Sequence, residues 1–123
     1  VLVQKSAKGI DGNPIDDEIE DVYAIHVKPG DAIYMPSEWG HLVANISKTY
    51  FVTADDSPVN FDEENPVSLP GHADYEPVKK MRGFCYYIVE KAGKPSLVKN
   101  LKYKKIPDIK IIEAKDYPIR KSS

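Results

Sequence analysis

A chain of 123 residues with a formal net charge of −2 is long enough to bury one hydrophobic core and near the usual size of a single unit. Its 17 basic and 19 acidic residues nearly cancel, so no overall field draws it to nucleic acid, and no apolar run approaches the roughly 18 residues that cross a bilayer. The lone cysteine, Cys85, cannot close an internal disulfide and no leader-like segment opens the chain, so the expected location is the reducing cytoplasm.

Val1 starts directly inside the apolar run Val-Leu-Val-Gln, and the expectation is a chain that begins partway through something longer. Ten prolines and seven glycines then cut the sequence into short pieces filled with aromatic and β-branched residues, the pattern of an all-β sandwich or barrel. Strands are predicted at residues 1–4, 22–27, 32–35, 41–45, 50–54, 84–89 and 96–98. Gly-Ile-Asp-Gly-Asn-Pro at 9–14 and Lys-Ala-Gly-Lys-Pro at 91–95 are turn signals, because Gly and Asn tolerate positive φ and Pro fixes a turn geometry. In the run 22–27 the strand period puts Tyr23, Ile25 and Val27 on one face and Ala24 and His26 on the other, so His26 is predicted to face solvent.

Residues 56–71 carry acidic side chains and prolines without clean alternation and read as a long surface loop; the pair Asp55 and Asp56 before it reads as a solvated strand end. One short helix is predicted near 75–82, with Asp74 as N-cap, Pro77 in its first turn and Gly83 as its stop. Cys85 sits in Phe-Cys-Tyr-Tyr-Ile-Val, where a buried structural thiol is expected. The locally basic Lys-Asn-Leu-Lys-Tyr-Lys-Lys at 99–105 reads as a solvated edge. Beyond Lys102 the core signal fades, leaving one edge strand at 109–113 and a tail that frays.

The stretch with chemistry in it is Gly30, five residues, Pro36, four residues, His41, three residues, Asn45. Gly30 makes a turn, 31–35 crosses the barrel, Pro36 ends that strand, and Ser37 to Gly40 turn the chain so that His41 re-enters with its ring inward; 32–35 and 41–45 would then form a hairpin with Trp39 at its tip. Asn45 closes the strand with an amide that can satisfy backbone groups in the next turn. A lone histidine between apolar strands is either a hydrogen-bonded core residue or a metal ligand, and spacing alone leaves both open.

This spacing resembles the second conserved motif of the cupin family, whose usual form is Gly, five residues, Pro, one residue, Gly, two residues, His, three residues, Asn. Glu38 stands here where the second Gly is usual. More narrowly, Tyr-Met-Pro-Ser-Glu-Trp-Gly-His-Leu-Val-Ala-Asn-Ile-Ser at 34–47 resembles the Pro-x-x-Trp-Ala-His-x-x-x-Asn-Ile segment of the cupin-type glucose-6-phosphate isomerases. Residues 71–100 resemble the Gly-His-Asp-Tyr, then Lys-Gly-Phe, then Val-Glu-Glu-x-Gly run that follows it there, with one inserted residue at Ala73 and a longer acidic loop at 62–67.

The resemblance implies an all-β, cupin-like antiparallel barrel or jelly roll, partial in this chain, with residues 1–105 as the C-terminal half of a cupin domain and 106–123 as an extension. It implies an aldose-ketose isomerase of glycolysis and gluconeogenesis that interconverts glucose 6-phosphate and fructose 6-phosphate. It implies a divalent metal, commonly iron, held by a His-x-His-then-Glu segment expected ahead of Val1 and by His41, so that the isolated chain would be inactive. His72 would be the catalytic residue, assisting ring opening or binding a hydroxyl; Tyr75 and Trp39 would bind the sugar phosphate, and the other reading of Trp39 is a lid-side packing residue beside His41. Glu38 takes a place where these isomerases carry an aromatic residue. A homodimer is expected, with apolar side chains of 22–27 or 84–89 at the contact. The competing reading is a non-catalytic cupin module that binds a sugar or pairs with another chain.

Overall fold

The computed structural model describes residues 1–36, 38–54 and 82–120. Its regular structure is all-β apart from one 3-10 turn: β1 (Leu2–Lys8), β2 (Pro14–His26), β3 (Trp39–Leu42), β4 (Tyr86–Lys91), β5 (Lys94–Lys99) and β6 (Lys110–Glu113), with the turn at Ala114–Asp116. Four strands form one sheet in the order β3-β1-β2-β6, and β4 and β5 form a separate two-stranded sheet. Pairing is antiparallel except that β6 lies parallel to β2. No helix among the described residues is long and apolar enough to cross a membrane.

Neighbouring residues Leu2, Val3 and Gln4 are all buried, as are Val22 and Tyr23. Because successive side chains of a strand point to opposite faces, β1 and β2 are covered on both sides. One face gathers Val3, Tyr23, Ile25, Ala114 and Tyr117, with Ile33, Met35, Trp39 and Ile112 packed on them. The other gathers Ile19, Val22, Cys85, Tyr86 and Tyr103, with Leu97, Ile106 and Ile109. Strict alternation would put Ile19 with Tyr23. The register jumps from Lys5↔Asp21 to Ser6↔Ile19, so Glu20 is an extra residue, and this bulge turns Ile19 to the face of Val22. Glu20 itself points to solvent and pairs with Lys5 at 3.4 Å.

Turn chemistry sets the connections. Gly12 adopts φ 80° and donates its N–H to the Gly9 carbonyl at 3.0 Å, while Asp11 Oδ1 accepts from the Asn13 N–H at 3.0 Å. Between β4 and β5 the two loop residues Ala92 and Gly93 both take positive φ, the geometry whose twist matches a tight hairpin.

Several expectations are met. Tyr23 and Ile25 are buried and His26 is exposed, Cys85 is a buried free thiol, and strands occupy the 1–4, 22–27, 84–89, 96–98 and 109–113 neighbourhoods. Others are corrected. Residues 32–35 and 50–54 form no ladder, and β3 pairs with β1 instead of with 32–35, so the expected hairpin around Trp39 does not form. β2 starts at Pro14, eight residues before the expected 22. Past Lys102 the chain does not lose the core: Tyr103, Ala114 and Tyr117 are buried. The predicted helix near 75–82 and the loop at 56–71 lie outside the described residues, Arg82 aside.

Candidate functional site

The stretch from Gly30 to Asn45 is built from its turns. Pro29 and Gly30 occupy the centre of a turn closed by the Asp31 N–H on the Lys28 carbonyl at 3.0 Å, and Gly30 has φ 92°, a left-handed value that a side chain would resist. Asp31 Oδ2 accepts the Lys28 N–H at 2.9 Å and holds the turn from its other side. The chain then runs past the first core with Ile33 and Met35 packed against it. At the far end the Asn45 amide donates to the Thr49 carbonyl at 2.7 Å and its Oδ1 accepts from the Ser47 N–H at 3.0 Å, the role its position in the motif suggests.

Glu38, where the cupin pattern has glycine, sits at φ 73°. The backbone there needs the left-handed region whatever the residue, and Glu38 adopts it under strain. Its carboxylate meets Lys8 Nζ at 3.0 Å, and that hydrogen bond and charge hold its pKa below the ordinary carboxylate value.

β3 pairs with β1 in the register Leu2↔Leu42, Val3↔His41, Gln4↔Gly40 and Lys5↔Trp39. Directly paired residues share a face, so Trp39 and His41 lie on the side of Val3 and Tyr23, the inward side by the first core. Trp39 is half-buried and stacks on Tyr23, ring centroids 6.3 Å apart at 29°. Tyr23 in turn receives Tyr117 edge-on at 5.8 Å and 84°, and Lys110 Nζ lies 4.8 Å from its ring centroid. Lys110 also pairs with Asp21 at 3.0 Å, which raises the lysine pKa. His41 lies beyond the packed part of this face and is exposed.

The remaining predicted residues divide. His26 is on the opposite face of the sheet, exposed, with Nδ1 3.3 Å from Glu113 Oε1. It does not join His41. His72 and Tyr75 lie outside the described residues. Among the described residues no three His, Cys, Asp or Glu side chains come together as a metal site. The basic run at 99–105 borders an open depression of about 300 Å³ whose lining includes Lys99, Lys104 and Lys105, with the buried Asn100 and Tyr103 beneath.

A polar clamp that the sequence reading missed fixes residues 82–85, the chain leading into β4. Gln4, buried in β1, accepts the Cys85 N–H at 2.8 Å through Oε1, and its Nε2 faces the Gly83 carbonyl and the Tyr103 hydroxyl, each at 3.4 Å. Asn100 donates from Nδ2 to the Arg82 and Phe84 carbonyls, both at 2.9 Å, and accepts the Lys102 N–H at 3.1 Å. The Tyr103 hydroxyl donates to the Gly83 carbonyl. Phe84 is thereby set against Gly40: a methyl at Gly40 would lie 3.9 Å from Phe84 Cζ. The residue beside His41 thus lies close to Phe84. The signal was present in the sequence, since an amide inside an apolar strand such as Val-Leu-Val-Gln must find partners when buried.

Compared with known proteins, residues 4–108 match the family model described as Glucose-6-phosphate isomerase (GPI). No curated protein and no solved structure matches the chain. The matched stretch contains both motif blocks and the clamp residues, and it ends before β6.

Proposed function

The chain belongs to the glucose-6-phosphate isomerase family, and on that footing we propose that it is part of a cupin-type isomerase, cytoplasmic and homodimeric, that interconverts glucose 6-phosphate and fructose 6-phosphate. The observation that carries this reading to a site is the placement of Trp39, packed on the first core, and the exposed His41 on one face of the sheet, inside the family-matched stretch. Several apolar side chains after β3, Val43, Ile46, Tyr50 and Val52 among them, are exposed, which is consistent with cover from further chain or from a second copy.

His41 fits the role of a single metal ligand and not of a complete site. Its imidazole is exposed, and no described residues supply a cluster around it. The companion ligands belong to the His-x-His-then-Glu segment that the cupin resemblance places ahead of Val1. A divalent metal such as iron, when bound there, supplies Lewis acidity toward the oxygens at C1 and C2 of the sugar. The chain's own residues do the rest: Trp39 offers its indole as a surface for the sugar, Tyr75 contributes a hydroxyl to the pocket, and His72 handles the proton that ring opening moves from a hydroxyl to the ring oxygen.

The experiment is His41→Ala in the full-length enzyme, with metal content and isomerase turnover measured on the same preparation. Metal occupancy and turnover should fall together. Turnover retained after metal loss would remove the metal from the reading, and a wild-type enzyme that binds the sugar phosphate without turning it over would establish a binding module instead.

A further inference from the structure

The family match ends at residue 108, yet the segment after it is packed into the same face that carries Trp39 and His41. β6 adds to the sheet beside β2, pairing Lys110 with Tyr23 and Ile112 with Ile25. The 3-10 turn at Ala114–Asp116 then reverses the chain, closed by the Tyr117 N–H on the Ala114 carbonyl at 3.3 Å. This delivers Tyr117, 1% exposed, edge-on to Tyr23. Arg120 Nη2 donates to the Lys115 carbonyl at 2.9 Å and ties the chain back beyond the turn.

Tyr23 is therefore held from three directions: Trp39 stacked on it, Tyr117 at its edge and the Lys110 ammonium over its ring. Two of these three come from the segment outside the family match. A tyrosine ring in a strand has two side-chain torsions to fix, and an edge-on partner with a cation over the face restricts both. Trp39 has Tyr23 as its ring partner at 6.3 Å and 29°, so a shift of the Tyr23 ring changes the surface against which the indole rests. The Tyr117 hydroxyl is buried with no hydrogen-bond partner among the described residues, so its contribution here is its ring.

We propose that Tyr117 and Lys110 are positioning residues that set Trp39 beside His41 by fixing Tyr23, which makes the C-terminal segment part of the site. The inference rests on the reading of Trp39 as a sugar-binding residue only for its consequence on substrate, not for the mechanical coupling.

The chain has one tryptophan, so emission excited at the red edge of the aromatic band, where tyrosine does not absorb, is that of Trp39 and reads the coupling directly. Tyr117→Leu should red-shift the emission and raise acrylamide quenching about twofold, as water reaches an indole whose aromatic support is lost. Tyr117→Phe, which keeps the ring, should leave both unchanged. Ile19→Val, a loss of packing in the other core, should also leave both unchanged although it destabilises the fold. Equal shifts from Ile19→Val and Tyr117→Leu, or none from folded Tyr117→Leu, would overturn the proposal. Should Tyr117→Leu not fold, the exposed Lys110→Met decides: a smaller shift in the same direction is expected, and an unchanged emission overturns it. In the full-length enzyme Tyr117→Leu should raise KM severalfold with little change in kcat. A shifted emission with unchanged KM would keep the coupling and remove Trp39 from the sugar site.

Discussion

Replacing Asn100 by alanine removes a side chain that holds the main chain at residues 82–85. Asn100 is 1% exposed and makes three hydrogen bonds to main-chain groups: two donated to the Arg82 and Phe84 carbonyls and one accepted from the Lys102 N–H. A hydrogen bond contributes about 1 kcal/mol net, and a buried partner left unsatisfied costs at least that, so Asn100→Ala should lose about 3 kcal/mol. That is a large part of the roughly 5–15 kcal/mol by which a domain of ordinary stability is folded. Urea unfolding followed by circular dichroism measures it, with an unchanged m-value expected because the same surface is exposed. Asn100→Asp sharpens the test, since it keeps the acceptor but turns a carboxylate toward two carbonyl oxygens. Such a carboxyl has its pKa raised in the folded state, so the variant should be most stable below the ordinary carboxylate value and lose stability as pH rises through the shifted one. A loss under about 1 kcal/mol for Asn100→Ala, or no pH dependence beyond wild type for Asn100→Asp, would refute the view that these bonds pin the segment.

Glu38→Gly should raise the melting temperature by a few degrees, because relief of left-handed strain outweighs the loss of the exposed pair with Lys8; differential scanning calorimetry reads it, and a lower melting temperature would show that the ion pair matters more than the backbone. Gly40→Ala should be accepted with a gain of about 0.5 kcal/mol from the stiffer unfolded chain, since the new methyl would meet Gln4 Cγ at 3.7 Å and Phe84 Cζ at 3.9 Å, ordinary contacts; a clear loss in urea titration would mean that strand and clamp approach more tightly. At alkaline pH, burial pushes Cys85 up from 9.0 to about 11 and Tyr117 from 10.0 to about 12. Both are acids held neutral by the fold, so their contribution is complete below 9.0 and disappears as pH rises through the folded values. Melting temperature should accordingly fall above pH 9, and Cys85→Ala should flatten the first part of that fall; an identical slope in the variant would exclude the thiol as a cause.

What could be read from the sequence was local. The alternation of Tyr23, Ile25 and His26, the Ala92-Gly93 hairpin, the Gly30 turn and the Asn45 amide all depend on residues within a few positions of one another. Each is found where it was expected. The start of β2 was hidden because Asp16, Asp17, Glu18 and Glu20 break the apolar rhythm that marks a strand, and the Glu20 bulge puts Ile19 out of phase with Tyr23. The partner of β3 was misjudged for a different reason: a tight hairpin is the entropically cheaper closure, but β1 offers Val3 and Gln4, whose burial on both faces outweighs it. Tyr117 was missed because one aromatic in a polar tail carries no periodicity. Its place depends on β6 lying parallel to β2, a pairing that local pattern does not encode.

For the site, the strand period pairs Trp39 with His41 only once Trp39 is known to open β3, because the sequence pattern put it in a turn, and the approach of residues 82–85 to the same strand was not legible at all. That approach is made at Gly40. Trp39 meets the first core on the face it shares with the exposed His41, and on the other face a methyl at Gly40 would meet Phe84 and Gln4. One strand of four residues therefore has the aromatic row on one side and the clamped segment 82–85 on the other. A change on either side reaches His41 through the same short piece of backbone. Loosening Asn100 or Gln4 should thus disturb His41 from the clamp side, and loosening Tyr117 should disturb it through Trp39. The two routes are separable: the first leaves Tyr23 and the indole stack in place, while the second leaves the main-chain bonds at 82–85 intact. If both act on the same imidazole, the double variant Asn100→Ala, Tyr117→Leu should weaken metal binding in the full-length enzyme by more than the sum of the single effects, and strict additivity would mean that β3 does not couple its two faces.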